Sequence, residues 1–372
     1  MQKQTAILGI VPGYSMLILA IGLMNHVLVI PPLLRITLRD AWISVLLVIG
    51  PYLIWLTILY FIMKKIDQRP ILDWLKQRYG AFASIVFRSL FFVYLFVFGA
   101  LTLKETIMWT HVAYLPRTPS TVLAASLVLL CGFAAWSGMR AFAISTVVLL
   151  PFVVIFGEFV MTANLPKKDY SMLFPVFEHG MLPVLNGMVL VGGGVAEILL
   201  ILLFHHQFKK KIPLWTLLLL GMFLVMLTLG PVTGAIAEFG PYEAALIRYP
   251  AYEEWRLVRI GEYFQHVDFL SIYQWLTGSY ARVSLSMYLM LNLLFPEDRP
   301  VPRNISLIAI GIVFVVLGSI LPISDMVFLA FMRNIYLPGS LIFGTAALLI
   351  LFVLVILGER RKKVKSNETQ KV

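Results

Sequence analysis

The sequence predicts an all-α polytopic membrane protein with about ten transmembrane helices, arranged as a five-plus-five inverted repeat. The composition is the first observation behind this prediction: 60% of the residues are hydrophobic and 13% are charged. A soluble domain is about 45–50% apolar and about 25% charged, so a water-soluble globule is excluded. The other two observations are the number of apolar runs and the recurrence of an amphipathic segment in each half of the chain.

The apolar runs are long enough for helices that cross a bilayer, which needs about 20 residues. The N-terminal run lacks a cleavage site and is predicted to be a retained first span. The single cysteine, Cys131, excludes an intrachain disulfide. The predicted spans are 5–33, 41–63, 81–105, 120–136, 139–162, 181–205, 213–235, 267–293, 304–321 and 336–357.

Two segments are amphipathic and too charged to span the membrane, 65–80 and 241–265. Each falls between the second and third helices of a set of five. An odd number of spans per unit forces the second copy to insert upside down, as in transporters whose site lies at the midplane. The alternative is a coincidence of two loops. The predicted units are 1–170 and 171–357, followed by a basic cytoplasmic tail, 358–372.

The net charge of +11 is explained by membrane orientation, because cytoplasmic loops are enriched in Lys and Arg. Basic residues cluster at 64–65, at 209–211 and in the tail. The distribution predicts cytoplasmic N- and C-termini. We expect the lipid bilayer, and no nucleic acid, to be the partner of these charges.

Two helices are predicted to be broken, because unwound backbone in a membrane can offer N–H and C=O groups to a ligand. In the first helix we favour 22–26 over Pro12-Gly13, and in the sixth we favour the glycines 192–194. The alternative for these glycines is close helix packing. The freed helix ends would suit a small zwitterion such as an amino acid. The predicted ligand-binding residues at the two breaks are Gly22, Met24, Asn25, Gly192, Gly193, Gly194 and Glu197.

Ionisable residues within the spans are costly and therefore informative. Arg282 lies near the centre of the eighth span, and Glu158 and Glu197 are deep acids. We hypothesise that Arg282 forms an intramembrane ion pair with Glu197 or another acceptor. The pair would either place a fixed cation in the site or simply hold the eighth helix to its neighbours.

An enzyme is not expected. The sequence contains no recognisable nucleophile motif and no phosphate-binding glycine loop with a lysine. His205 and His206 begin a basic run that is typical of an interfacial anchor. No metal site and no cofactor are predicted, because these histidines have no cysteines or clustered carboxylates nearby.

Three stretches of the sequence carry recognisable motifs. They are 39–47 (RDAWISVLL), 174–184 (FPVFEHGMLPV) with Glu197 in the helix that follows, and 249–276, which contains YPAY, RIGEYF, VD and WL. Together they resemble the B subunit of endospore germinant receptors, in the spore germination permease family. That family is similar to the amino acid/polyamine/organocation transporters, and the resemblance extends over nearly the whole chain. It implies the LeuT-like form of the inverted repeat.

The resemblance implies a nutrient-sensing subunit in the inner membrane of a spore. It would act with an A subunit and a lipoprotein C subunit, and would bind a small amino acid-like germinant between helices 1, 3, 6 and 8. Gly22 matches the small residue at the first-helix break, Tyr94 would form a wall, and Ser284 and Tyr288 would supply polar groups. The lysine that proton-coupled relatives carry in the fifth helix is absent from 139–162, so ion coupling is not carried over.

Two other functions fit the same scaffold: a stand-alone amino acid transporter of the plasma membrane, or a subunit whose pocket is vestigial. A sensor and a transporter need the same pocket, and they differ in whether the ligand leaves on the opposite side. The aromatic segment 241–265 would either gate the outer vestibule or contact a partner subunit.

Overall fold

The computed structural model describes residues 7–259, 267–295 and 299–369, with side chains up to residue 358. In these residues the chain is helical, and its extended pairing is limited to an isolated bridge between Leu8 and Phe208. The predicted all-α membrane fold is confirmed. The basic side chains of the tail and part of the motif at 259–264 lie outside the described residues.

The first half of the chain contains six α-helices. Short irregular helices connect some of them: a π-helix at Met24–Leu28 and 3-10 turns at Leu38–Asp40, Leu165–Lys167 and Tyr170–Leu173. The α-helices are α1 (Ile10–Leu23), α2 (Ile30–Thr37), α3 (Ala41–Ile66), α4 (Ile71–Ala113), α5 (Ser120–Trp136) and α6 (Met139–Asn164).

The second half of the chain continues with eight α-helices. A long 3-10 helix at Ala196–Leu203 and a short one at His205–Gln207 follow the first of them, and a π-helix at Met332–Tyr336 precedes the last. The α-helices are α7 (Met181–Val195), α8 (Leu214–Phe239), α9 (Pro241–Leu246), α10 (Pro250–Leu257), α11 (Leu270–Leu294), α12 (Pro300–Ser319), α13 (Asp325–Phe331) and α14 (Leu337–Thr369).

Seven helical stretches of the described chain are long and apolar enough to cross a membrane. The first, Ile10–Ile66, contains two of the predicted spans in one run. The helix α5 is apolar but shorter, and α11 is outside this set of seven. The count of ten spans and the division into inverted repeats remain predictions.

The amphipathic segment of the first half is the beginning of α4. Gly80 interrupts that helix with a φ of 89°, a value that costs a residue with a side chain much more than it costs glycine. The segment of the second half contains α9 and α10, and its residues 260–266 lie outside the described part of the chain. Gly240, with a φ of 79°, separates the beginning of this second segment from α8.

A large hydrophobic core joins helices that are distant in sequence, and a smaller buried cluster contains Val160, Trp255, Val258 and Val267. The helix α11 packs against α4, α1 and α5, while α3 packs against α8 and α7, and α7 packs against α14. The helices α6 and α12 lie at the periphery, where their most apolar stretches are largely exposed. In a bilayer these apolar exposed faces contact lipid.

The first predicted break takes the form of a π-turn. Met24 accepts a hydrogen bond from the amide of Val29 at 2.9 Å, one residue beyond the α-helical partner. Pro31 and Pro32 begin the next helix, and because they lack N–H groups they cannot complete the α-helical ladder. The turn overlaps the favoured region 22–26, whereas Pro12 and Gly13 lie inside regular α1.

The second break differs from the prediction. Gly192, Gly193 and Gly194 stay α-helical, and the winding changes to 3-10 only at Ala196. The reason lies in the packing: a Cβ at Gly193 would lie 2.1 Å from the carbonyl oxygen of Leu337. Gly193 therefore allows two helix backbones to approach each other, and Gly192 and Gly194 lie against the side chains of Leu341 and Asn25. The three glycines do not unwind their own helix.

Candidate ligand-binding site

Arg282 of α11 and Glu197 of the 3-10 helix face each other across two direct contacts. Nη1 of Arg282 lies 2.6 Å from Oε2 of Glu197, and Nη2 lies 3.0 Å from Oε1. Both side chains are fully buried. Two parallel charge-assisted hydrogen bonds are the strongest arrangement available to an arginine and a carboxylate, and they fix the relative position of the two elements.

Further contacts satisfy the rest of this ion pair. Arg282 donates from Nε to Oγ1 of Thr102 at 2.8 Å and from Nη1 to the carbonyl oxygen of Ala20 at 2.8 Å. The hydroxyl of Tyr336 donates to Oε1 of Glu197 at 2.7 Å. The guanidinium also lies 3.7 Å from the ring centroid of Phe98, a cation–π contact. The pair thus connects α1, α4, α11, the 3-10 helix and the second π-helix.

The predicted residues next to this pair are packed against one another. The Cβ position of Gly194 is 2.4 Å from Oδ1 of Asn25, and Asn25 donates to the carbonyl oxygen of Ile21 at 3.1 Å. The hydroxyls of Tyr94 and Ser340 are 2.7 Å apart, and Ser340 donates to the carbonyl oxygen of Gly193 at 2.9 Å. These contacts fill the space between the first, third and sixth predicted helices.

The remaining predicted ligand residues are also buried among protein atoms. Met24, Ser284 and Tyr288 are inaccessible to solvent, and Nε2 of Gln207 donates to the hydroxyl of Tyr288 at 3.4 Å. Of all the residues predicted to bind a ligand, Gly22 alone lines the cavity described next. The roles predicted for the others remain predictions.

A cavity of about 310 Å³ lies beside the π-turn of the first helix. This is within the range of about 300–1,000 Å³ that is common for small-molecule sites. Its walls come from α1, α6, α8, α10 and α11 rather than from the third and sixth predicted helices. Gly22 and Leu23 of α1 contribute to its wall, and so do Glu254 and Trp255 of α10.

The cavity is mostly apolar and aromatic. Tyr252, Trp255 and Trp275 form part of its wall. The indole N–H of Trp255 donates to Oε1 of Gln274 at 2.9 Å, which holds α10 against α11. His26 lines the other side, where its Nδ1 lies 3.0 Å from the carbonyl oxygen of Leu227. The aromatic wall is therefore held in place by hydrogen bonds between helices.

Three charged side chains meet at the α10 end of the cavity. Nζ of Lys168 lies 3.3 Å from Oε1 of Glu238, and both side chains are almost completely buried. Glu254 is 6% exposed, and its Oε1 has no hydrogen-bond partner in the described structure. A Cβ at Gly234 would lie 3.1 Å from both carboxylate oxygens of Glu254 and from Nζ of Lys168, so these groups converge on one point. The group Lys168, Glu238 and Glu254 is called the acid–lysine cluster below.

Sequence reasoning missed the acid–lysine cluster. The sequence places Glu254 in the amphipathic segment 241–265 and indicates no role of its own for it. Its neighbour Glu253 binds the exposed Arg256 at 3.0 Å, and nothing in the local sequence distinguishes the two acids. The available signal was the aromatic residues on either side, Tyr252 and Trp255, which predict that one face of this short helix is buried.

Comparison with known proteins identifies the family. The family model described as "Spore germination protein" matches residues 14–326, most of the chain. This chain belongs to the spore germination permease family. The family description concerns germination and indicates no catalytic activity, and within the described residues no group of His, Cys, Asp and Glu could hold a metal ion.

Three relatives within this family carry germination names. The chain is 41% identical to "Spore germination protein XB" of Bacillus anthracis, over 91% of this chain and 96% of the relative. It is 26% identical to "Putative spore germination protein YfkT" of Bacillus subtilis (strain 168), over 78% and 79% of the two chains. It is 29% identical to "Spore germination protein GerQB" of Bacillus cereus, over 40% and 41%. The chain is thus a multi-pass membrane protein of a germination family.

Proposed function

We propose that this chain is the nutrient-sensing subunit of a spore germinant receptor, in the inner spore membrane with both termini cytoplasmic. It binds a small amino acid-like germinant and signals to an A subunit and a lipoprotein C subunit. The observation that carries the proposal is the cavity of about 310 Å³ beside the π-turn of the first helix, in a chain of a germination family. π-Turns are frequent at functional sites.

The buried ion pair supports sensing rather than ion-driven pumping. Arg282 donates to the carbonyl oxygen of Ala20, one turn or less from the cavity residues Leu19 and Gly22. A ligand that displaces α1 changes this contact, and the paired Glu197 and Tyr336 carry the change to the second half of the chain. The arginine is a fixed positive charge that cannot dissociate as a transported ion does.

Gly22→Phe is expected to abolish the germination response to the nutrient while protein level stays unchanged. The Cβ of a side chain at Gly22 would meet only the flexible end of Leu227, at 3.1 Å, and a phenyl ring would extend into the cavity. The measurement is loss of optical density of spores after nutrient addition, with the protein quantified in spore membranes.

Gly50→Phe is the matched control. Gly50 is exposed on α3, and a Cβ there meets nothing within 4 Å, so this ring enters lipid and the response is expected to persist. A normal response of Gly22→Phe spores at normal protein level would contradict ligand binding in this cavity. Accumulation of radiolabelled amino acid by vesicles containing the chain alone would indicate a transporter instead.

A further inference from the structure

The acid–lysine cluster lacks one positive charge. Glu238 and Glu254 provide two carboxylates, whereas Lys168 provides a single ammonium group, which lies against Glu238. A buried carboxylate without a partner is costly, so such a group either takes up a proton or binds a cation. Both oxygens of Glu238 and Oε1 of Glu254 lack a hydrogen-bond partner in the described structure. Glu238 has the ammonium group of Lys168 beside it, and Glu254 is the acid of the two that lines the cavity.

We propose that Glu254 binds the ammonium group of a small primary amine whose apolar body lies in the cavity between α1, α6, α8 and α11. The assignment rests on the proposed function in taking this cavity to be the ligand site. It goes further by naming the recognition group, the chemical class of the ligand, and its orientation with the ammonium group under α10.

The surroundings of Glu254 favour an organic ammonium ion over a metal cation. A metal ion such as Ca²⁺ takes six to eight oxygen ligands, and the cavity wall around Glu254 is mostly carbon. Tyr252, Trp255 and Trp275 line the cavity, and aromatic faces attract an ammonium group while also packing against its hydrocarbon part. The cavity thus matches both ends of an amine.

Protonation competes with this ligand. Burial raises the pKa of the Glu254 carboxyl well above its ordinary value, the nearby Glu238 raises it further, and Lys168 lowers it. At a pH below this raised pKa the carboxyl holds a proton, and an ammonium ligand replaces it. The deprotonated fraction grows as pH rises toward this raised pKa, so the affinity for the amine rises with pH and then becomes constant, until the amine loses its own proton at about pH 10.

Among the residues that the structure describes, the other charged or titratable groups around the cavity do not supply the missing charge. Glu158 is exposed on α6 and adds a negative charge. His26 places Nδ1 against the carbonyl oxygen of Leu227. Lys167 donates to the carbonyl oxygen of Leu257, and Lys168 is paired with Glu238.

The test uses the full-length chain in lipid nanodiscs and two probes of equal shape, isobutylammonium and isobutanol. Binding is followed through tryptophan fluorescence, to which Trp255 and Trp275 contribute. The expected result is saturable binding of isobutylammonium, at least about tenfold tighter than that of isobutanol. Below the pKa of the carboxyl its affinity should rise about tenfold per pH unit, since one proton is displaced, and that of isobutanol should be constant.

Glu254→Gln is expected to weaken isobutylammonium binding by about tenfold or more and to remove its pH dependence. Glu253→Gln changes the same charge at the adjacent, partly exposed position, and should leave binding unchanged. Equal binding of the two probes, or pH-independent binding of the ammonium, overturns the proposal even if the Glu254 variant fails to fold. Competition by Na⁺ or K⁺ at concentrations equal to that of the amine also overturns it, because it indicates a metal-cation site.

The failure of this assignment is distinguishable from failure of the proposed function. If Gly22→Phe spores lose the nutrient response while the two probes bind equally, the chain is a sensor and Glu254 is not its ammonium site. If isobutylammonium binding depends on Glu254 but Gly22→Phe spores respond normally at normal protein level, the amine site stands and the sensing proposal fails.

Discussion

Arg282→Gln is expected to cause a large loss of folded protein, equivalent to about 3–5 kcal/mol, because it leaves the fully buried Glu197 carboxylate without its charge partner. The same change removes the hydrogen bonds to Ala20 and Thr102. The measurement is the apparent melting temperature of the purified protein, together with its level in membranes. An unchanged melting temperature and an unchanged germination response would contradict both the structural and the signalling role of the pair.

Two further variants separate the ion pair from a general effect of charge removal. Lys211→Gln breaks an exposed ion pair, in which the side chain of Lys211 is 69% exposed and that of its partner Asp67 is 59% exposed. This variant should leave the melting temperature unchanged. The double replacement Arg282→Met with Glu197→Met should recover much of the stability lost in either single variant, because no buried charge then remains unpaired. Additive losses in the double variant would mean that the two residues are not coupled.

Gly193→Ala is expected to lower the amount of folded protein as severely as Arg282→Gln does, although it adds a single methyl group. Its Cβ would lie 2.1 Å from the carbonyl oxygen and 2.7 Å from the carbonyl carbon of Leu337. Backbone atoms cannot move aside as a side-chain end can, so α7 and α14 would have to separate. The separation would also disturb the hydrogen bond from Ser340 to the carbonyl oxygen of Gly193. The measurement is again melting temperature and membrane level.

The same substitution elsewhere provides the control. Gly339→Ala lies on the facing helix, where a Cβ meets nothing within 4 Å, and the gain in helix propensity of up to about 1 kcal/mol should leave the protein as stable or slightly more stable. Gly192→Ala should have a melting temperature between those of the other two variants, since its Cβ meets the flexible side chain of Leu341 at 3.3 Å. If Gly193→Ala behaved like Gly339→Ala, the close packing of α7 on α14 would be wrong.

Several elements were predictable because they depend on local sequence. The predicted span 120–136 has the bounds of α5, and 139–162 ends two residues before α6 does. The turns at Gly138 and Gly80, with φ of 87° and 89°, lie where predicted helices begin. The π-turn at Met24–Leu28 overlaps the break predicted at 22–26, near the middle of the first span, and two prolines follow the turn closely.

The candidate site was less predictable. Arg282 and Glu197 stood out because a charge within a membrane span is costly wherever it lies. Gly192, Gly193 and Gly194 were also conspicuous, but whether such glycines unwind a helix or admit a neighbour depends on what faces them. Here the answer is the backbone of Leu337, which is distant in the sequence.

The sequence by itself determined the class of protein, the approximate helix positions and the residues whose charge is costly in a membrane, because each of these follows from composition within one segment. Only the tertiary structure decided which side chains meet. Membrane helices are apolar around their whole circumference, so no amphipathic pattern marks the face that is buried against other helices. In the short amphipathic helix α10 the aromatic residues indicate a buried face, but the groups that this face meets lie far away in the sequence. The sequence therefore could not show that Glu254 borders a cavity beside Lys168 and Glu238 while Glu253, one residue earlier, stays partly exposed.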